Sequence, residues 1–479
     1  MASYKAPGVY VEDITSGSQS IEQASSSVGV LIGTTRSGVV NSPQKVTSWT
    51  DFINKFANGL DTPFSTNMYL PYSVYGFFNN GGSELYVISL KKSGVKATKT
   101  TTGSKLTITA STEGAWGNDI SLTFVKASDW VASTNLTYDV TIKVGSGDSV
   151  TLNGETIDTI ADDILANFKA KEWISAVTLG ESAALAEEVI TLEGGSDGTT
   201  LTDSDYISAL DYIDLLEDAM LVGIPGQTSS ALNLALMQYC EKNWLFPMLD
   251  APVGSTVDAV KTYRKTVSSW TGCIAYPWGK VLDPLTNDLK LIPTVGHLMG
   301  VYARVFTNRG IFKAPAGLEA VVNGFVELEK NLTPGDIGTL NSVGVICIRA
   351  MPNAGIVVWG ARSLNSTDTT MRYVTDGIMN LVIKRSLDRG TAFAVFEPNN
   401  EVTWNRLDSS CRAFLETLRL EGAFKGTKDT AYYVTVNDTN NTDATIAEGI
   451  LNVEVGYAPV KPAEFVVIKL AHSIVGNAS

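Results

Sequence analysis

Histidine is almost missing from this 479-residue chain, which has only His297 and His472. A nucleophilic triad or an imidazole metal centre would have to be built from those two, so catalytic and metal constellations of that kind are scarce from the outset. Cysteine is scarce too: Cys240, Cys273, Cys347 and Cys411 lie far apart in apolar or helical contexts, with no C-x-x-C pair. They read as reduced core thiols. Charged residues make up only 18% of the chain, against roughly 25% in ordinary soluble domains. That leaves unusual apolar surface to bury, with contacts between subunits as one outlet. Basic residues are in deficit, 36 Lys+Arg against 50 Asp+Glu for a net charge of -14, so no direct nucleic-acid binding is expected. No apolar run reaches the roughly 18 residues of a membrane span and no basic, apolar leader opens the chain, so neither membrane insertion nor secretion is expected. Synthesis in a cytoplasm follows, and sequons such as Asn135-Leu-Thr and Asn365-Ser-Thr then carry no meaning. The Gly-rich pieces GGSDGTT and EGAFKGTK lack Walker or Rossmann spacing, and NDTNNTD lacks the EF-hand glycine and terminal Glu. No catalytic residues, cofactor or metal are expected.

What is present is an alternation of strands and helices with one interruption. SVGVLIGTT reads as a buried strand and KVTSWTDFINKFAN as a helix started by Thr47 or Ser48. LPYSVYGFFNNGG reads as a helix closed by Gly81 and Gly82, and SELYVISL as the next strand. Between about 91 and 204 the composition shifts to Thr, Ser, Gly and alternating β-branched residues, as in KLTITA, ISLTFVKA and LTYDVTIKV. Short strands joined by Gly/Ser/Asp turns predict an inserted β-sandwich crossed by one helix, TIADDILANFKAK. From residue 206 the first pattern resumes with AMLVGIPG, SALNLALMQYCEKN, WLFPMLDAP, VDAVKTYRKTVSSW and GCIAYPW, which points to a parallel or mixed α/β sheet. Beyond about 355, GIVVWGARSL, two helices and the strands AYYVTVND and ILNVEVGYAPV predict an α+β unit. The expected organisation is an arm and linker over 1–27, a discontinuous α/β core over 28–90 and 205–355, the insertion over 91–204, an α+β domain over 356–462, and a terminal arm over 463–479.

Both ends of the chain read as strands without local partners. Near the start, APGVYVEDI places Val9, Val11 and Ile14 in an alternating segment, cut off by the Ser/Gly-rich linker from Thr15 to about Ser27. Near the end, AEFVVIKL is largely apolar on both faces: Phe465, Val467 and Lys469 point one way, Val466, Ile468 and Leu470 the other. Pro7 and Pro462 lack N–H donors and fit only a strand's start or edge. Two readings stand: the termini pair with each other or with their own sheet, or they complete sheets in neighbouring chains. An extended linker would reach on the order of 40 Å, far enough to cross to another subunit.

The segments APGVYVEDI, FFNNGGSELYVISL, LVGIPG, AYPWGKVLDP, GVYARVFTNRGIFKAPAG, GIVVWGARSL, VFEPNN and APVKPAEFVVIKL occur in this order. Together they resemble the contractile tail sheath family of bacteriophages and phage-tail-like particles, over nearly the whole chain outside the insertion. The resemblance implies a structural protein: hexameric rings of subunits stacked into a helical sheath around a tail tube, joined through exchanged arms at 6–14 and 463–470. It implies baseplate and tail terminator proteins as further partners. It also implies assembly in the bacterial host cytoplasm, a place in the virion tail, and one contraction that drives the tube through the cell envelope without nucleotide hydrolysis. The insertion would project outward. On the helix around 409–421, Cys411, Phe414, Leu415 and Leu418 form an apolar stripe, and Arg412, Glu416 and Arg419 an adjacent polar one. The family places a C-terminal helix against the tube, which makes those three candidate tube contacts, with a solvated helix face as the alternative. A capsid or surface-layer type lattice protein, or a hydrolase drawing on His297 or His472, are the competing functions.

Overall fold

A computed structural model describes residues 20–57, 64, 67–132, 134–147, 149–180, 184–269, 271–283 and 286–468. Val9, Val11, Ile14, Leu470 and His472 therefore lie outside the described residues. The described chain divides into two compact units, one of residues 25–381 with 461–468, the other of 20–24 with 382–460.

The first unit is organised by an eight-stranded mixed sheet. Its strands are β1 (Gly29–Gly33), β2 (Pro43–Val46), β3 (Leu85–Ser89), β4 (Leu221–Gly223), β5 (Phe246–Asp250), β6 (Cys273–Tyr276), β7 (Val345–Met351) and β8 (Gly355–Trp359). The spatial order is β8-β7-β6-β5-β4-β1-β3-β2, parallel throughout except for antiparallel β2 and β8 at the edges. β1, β4, β5 and β6, with the sequences GVLIG, LVG, FPMLD and CIAY, are mostly apolar and buried at every residue, as expected of strands covered on both faces. The sequence reading placed 356 onward in the C-terminal domain. The structure instead hydrogen-bonds β8 into this sheet, pairing Cys347 with Trp359 through Met351 with Gly355. Asn353, at φ +64°, and Gly355, at φ +77°, make the tight turn that returns the strand.

On one face of the sheet the helix Leu70–Asn79 packs against the helix Val295–Arg309. Glycines permit the close crossing: a Cβ added at Gly300 would lie 2.4 Å from the Phe77 carbonyl oxygen, and one at Gly296 2.3 Å from that of Ser73. The opposite face is covered by a cluster that includes Leu232, Leu236, Val260 and Leu340.

Residues 98–191 carry two further antiparallel sheets. One joins Thr98–Thr100, Leu106–Ala110 and Ile174–Leu179, and the other orders Glu188–Thr191, Ile120–Lys126, Thr137–Val144 and Ser149–Thr156. They share an apolar core around Ile108, Trp116, Leu122, Phe124, Tyr138 and Trp173. The single helix expected here is two, Ile160–Ala166 and Ala170–Trp173. Asn167 breaks it: its backbone is extended, and its Oδ1 accepts from the Lys169 and Ala170 amides, both at 3.1 Å, capping the second helix. At the neck, the buried Lys91 ammonium donates to the carbonyls of Arg36 and Glu113 and to Asp197 Oδ1, the last two at 2.8 Å.

The second unit is built on the helix Glu401–Leu420. Its Asn400 side chain accepts from Val402 and Thr403 amides at 3.0 and 3.2 Å, and it buries Trp404, Leu407, Cys411, Phe414, Leu415 and Leu418. It packs against β9 (Tyr432–Thr435), which pairs antiparallel with β10 (Glu454–Tyr457).

Candidate functional site

All four cysteines are buried and free, and no group of three or more His, Cys, Asp or Glu side chains gathers as for a metal among the described residues. His297 sits inside the helix crossing, stacked on Phe325 with ring centroids 4.3 Å apart, and neither ring nitrogen has a hydrogen-bond partner. Burial drives its pKa down to about 3, so the ring stays neutral and too shielded to act as a base. No described helix is long and apolar enough to cross a membrane.

That burial has a measurable consequence. The unfolded chain protonates its histidine from about pH 6.5 downward, the folded chain only near 3, so stability falls on acidification between those values. Asp250 opposes it: burial raises its carboxyl to about 6 despite amide donors from Gly226, Thr294 and Val295, so its contribution is present below about 3.8 and lost as pH rises to 6. Replacing His297 with Phe removes only the first effect. The stability of the natural chain relative to His297→Phe should therefore rise by about 1.4 kcal/mol for each pH unit from 4 to 6 in urea unfolding. A constant difference would show that the ring titrates normally.

The termini are the chemically unusual places. Phe465, Val466, Val467 and Ile468 are 74–80% exposed and belong to no ladder among the described residues. Their root is tightly held. Glu464 Oε1 accepts from Arg362 Nε at 2.8 Å and Asn341 Nδ2 at 2.5 Å, and Oε2 accepts from Arg362 Nη2 at 2.8 Å and Tyr373 Oη at 3.1 Å. Burial works to raise the Glu464 carboxyl, but these donors outweigh it and hold it below the usual range. Three residues earlier, Lys461 Nζ pairs with the buried Asp376 at 2.8 Å and donates to the Thr370 carbonyl at 2.8 Å. Nothing in the sequence flagged these partners, because Arg362 and Glu464 are 102 residues apart.

The segment read as a flexible N-terminal linker is docked where it is described. Ile21 and Ala24 are buried. The Ala24 amide donates to Ser386 Oγ at 2.8 Å, and Ile21 fills the space over Gly390, where an added Cβ would lie 2.6 Å from it. An apolar residue beside a side-chain-free helix position displaces the freedom assigned to 20–24.

On the helix Glu401–Leu420 the polar stripe is engaged within its own unit. Arg419 makes a bidentate pair with Glu416 at 2.8 and 2.7 Å, Glu416 also accepts from Tyr432 Oη at 3.0 Å, and Arg412 donates to Asp408 at 2.8 Å and to the Val434 carbonyl at 2.5 Å. Arg412 is the most exposed of the three. β9 and β10 form a two-stranded sheet among the described residues, with Arg412 bound to the Val434 carbonyl of β9. Phe396, in the VFEPNN stretch, is fully exposed at φ +67°, a costly conformation for a bulky side chain.

The comparisons agree with this architecture. Residues 199–364 match the phage tail sheath protein central domain and residues 366–471 the phage tail sheath C-terminal domain. The tail sheath protein of Escherichia phage P2 is 22% identical over 252 residues, 51% of this chain and 61% of that protein. Against three curated relatives the matched region spans between about two fifths and three fifths of their length. Among solved structures, the sheath complex of an extracellular contractile injection system in its contracted state superposes with TM-score 0.63 at 21% identity, covering 99% of each chain. The crystal structure of a sheath tail protein from Desulfitobacterium hafniense gives TM-score 0.64 at 17% identity, over 90% of this chain and 93% of the other. With the two domain models together matching more than half its residues, the chain belongs to the phage tail sheath protein family.

Proposed function

We propose that this protein is a structural subunit of a contractile tail sheath and not an enzyme. It polymerises as hexameric rings stacked around a tail tube and joined through exchanged terminal arms, then contracts once to drive the tube through a bacterial envelope. One observation carries the reading: four consecutive apolar residues, Phe465 to Ile468, stand exposed and in no ladder among the described residues while the root just before them is pinned. Covering each is worth about 1.5–3 kcal/mol, which a neighbour's strand edge supplies. The two-stranded sheet of β9 and β10, in a second copy of the chain, is the natural acceptor because it can be extended by further strands. The N-terminal arm, with Val9, Val11 and Ile14, plays the matching part from the other end.

The finer assignments belong to the same proposal. Residues 91–204 form an inserted β-sandwich that projects from the sheath, and 28–90 with 205–355 form the core to which β8 is added. Residues 356–462 otherwise form the C-terminal domain. Arg412, Glu416 and Arg419 face the tail tube, with Glu416 and Arg419 already paired to each other and Arg412 the most exposed of the three, and individually weak contacts suit a surface that has to release. Baseplate and tail terminator proteins cap the polymer. The particle is a virion tail or a phage-tail-like device assembled in the bacterial cytoplasm.

Electron microscopy of the purified full chain tests this. Hollow cylinders with a cogged cross-section are expected. Closed shells or flat lattices would replace the sheath with another self-assembling coat, and stable monomers at every concentration would sink the assembly reading.

A further inference from the structure

We propose that Arg362, Asn341 and Tyr373 form a carboxylate socket for Glu464 that fixes the point and direction at which the C-terminal arm leaves the subunit. The strand edge of a second copy then meets an arm that is already aimed. The inference rests on the strand-exchange reading above and adds to it the residues that position the arm.

Four features support the assignment. The donors come from three separate elements: Asn341 from the helix Pro334–Ser342, Arg362 from the loop after β8, and Tyr373 from the residue preceding the helix Val374–Thr391. They converge on both oxygens of one carboxylate. A bidentate guanidinium with two further donors fixes orientation as well as distance. The socket is itself braced, since Arg362 Nη1 donates to the Asn341 carbonyl at 3.3 Å and Arg362 is bridged to Tyr373 through the backbone. The pair is shielded, with side chains 14% and 18% exposed, unlike the solvated surface pairs elsewhere on the chain.

The second fastening, Lys461 to Asp376, lies three residues upstream, and Pro462 between the two restricts the backbone. Residues 461–464 are thus held at both ends across a stiff joint, and the apolar stretch begins at the very next residue. A chain that served only to cover its own body would not need an ionic anchor followed by four uncovered apolar side chains. Ordering the root within the subunit lowers what capture by a neighbour has to pay in lost freedom.

The test compares four full-length proteins, natural, Glu464→Gln, Arg362→Gln and the charge-swapped double variant Glu464→Arg with Arg362→Glu, and a chain ending at Glu464. Each is followed by sedimentation for its critical polymerisation concentration and by thermal melting. Removing one partner of the shielded pair should raise the critical concentration about tenfold while the monomer melts within about 2 °C of the natural chain. The swap should recover most of the loss. Polymerisation of either single variant at the natural concentration overturns the socket, and so does a melting temperature that falls in step with assembly. Normal polymerisation of the chain ending at Glu464 instead overturns the strand-exchange reading beneath it.

Discussion

A chain that stops at Glu464 is expected to fold like the full one and to stay monomeric at concentrations where the full chain builds cylinders. Among the residues it loses, Phe465 to Ile468 are 74–80% exposed in the subunit, so removing those four takes nothing from either unit's core. In a strand-exchanged polymer their burial would contribute about 6–12 kcal/mol per joint. Ordering eight or so arm residues costs about 1–2 kcal/mol each, so a single joint is close to balanced. Loss of the apolar stretch tips every joint the same way, and because each subunit takes part in several, polymer should vanish and not merely weaken. Sedimentation velocity reads the size and circular dichroism the fold. Cylinders from this truncated chain would remove strand exchange from the account, and an unfolded product would show that the terminal segment belongs to the subunit's own core.

The largest effect on folding is expected at the crossing of the helices Leu70–Asn79 and Val295–Arg309. Gly300→Ala adds one carbon 2.4 Å from the Phe77 carbonyl oxygen and 2.8 Å from Asn80 Cβ. The first contact is backbone and cannot rotate away, so the helices have to separate although the helix Val295–Arg309 is buried at every residue from Val295 to Ala303. Overpacking of this kind costs about 1–3 kcal/mol for a flexible neighbour and more against backbone, so a loss of about 3 kcal/mol or greater is expected. Gly338 gives the internal control. It lies in the helix Pro334–Ser342 and an added Cβ would meet nothing within 4 Å. Gly338→Ala should therefore stabilise by about 0.4–1 kcal/mol through reduced freedom of the unfolded chain. Urea midpoints of opposite sign are the expected result, and equal shifts would mean the crossing yields where the close contacts say it cannot.

The sequence patterns that proved readable are local ones. Ser48 does cap the helix Trp49–Phe56, accepting from the Asp51 amide at 3.0 Å, and Asn80 with Gly81 ends the helix Leu70–Asn79. Runs of Val, Ile and Leu marked the buried parallel strands because both faces there meet apolar cover. The stripe of Cys411, Phe414, Leu415 and Leu418 turned out buried for the same reason. What stayed hidden depends on partners distant in the chain. The Met351-Pro352-Asn353-Ala354-Gly355 turn carries a hairpin signature, yet two long helices follow and draw the eye away from β7. Arg419 and Glu416 form an ordinary i,i+3 pair in sequence, but only the fold brings Tyr432 to the same carboxylate. Ile21 looked like one apolar residue in a polar linker, and its site exists only because Gly390 leaves a gap over its helix.

The neck of residues 91–204 has a practical side. The outgoing and returning strands are stitched together before the extra sheets begin, with Val95 bridged to Ser196, Thr98 to Glu193, and Lys92 to Gly198 and Thr199. Lys91 and the Lys92–Asp205 pair then rivet that doorway to the body. Whatever is threaded between the two stitches enters and leaves through one closed port. The segment between Lys99 and Leu192 is therefore open to engineering: a foreign cargo domain with adjacent ends spliced in there would keep these bridges and give up the contacts the insertion makes to the body, among them the Glu113 carbonyl at Lys91, Asp119 at Arg36 and Thr112 at the Gly38 amide.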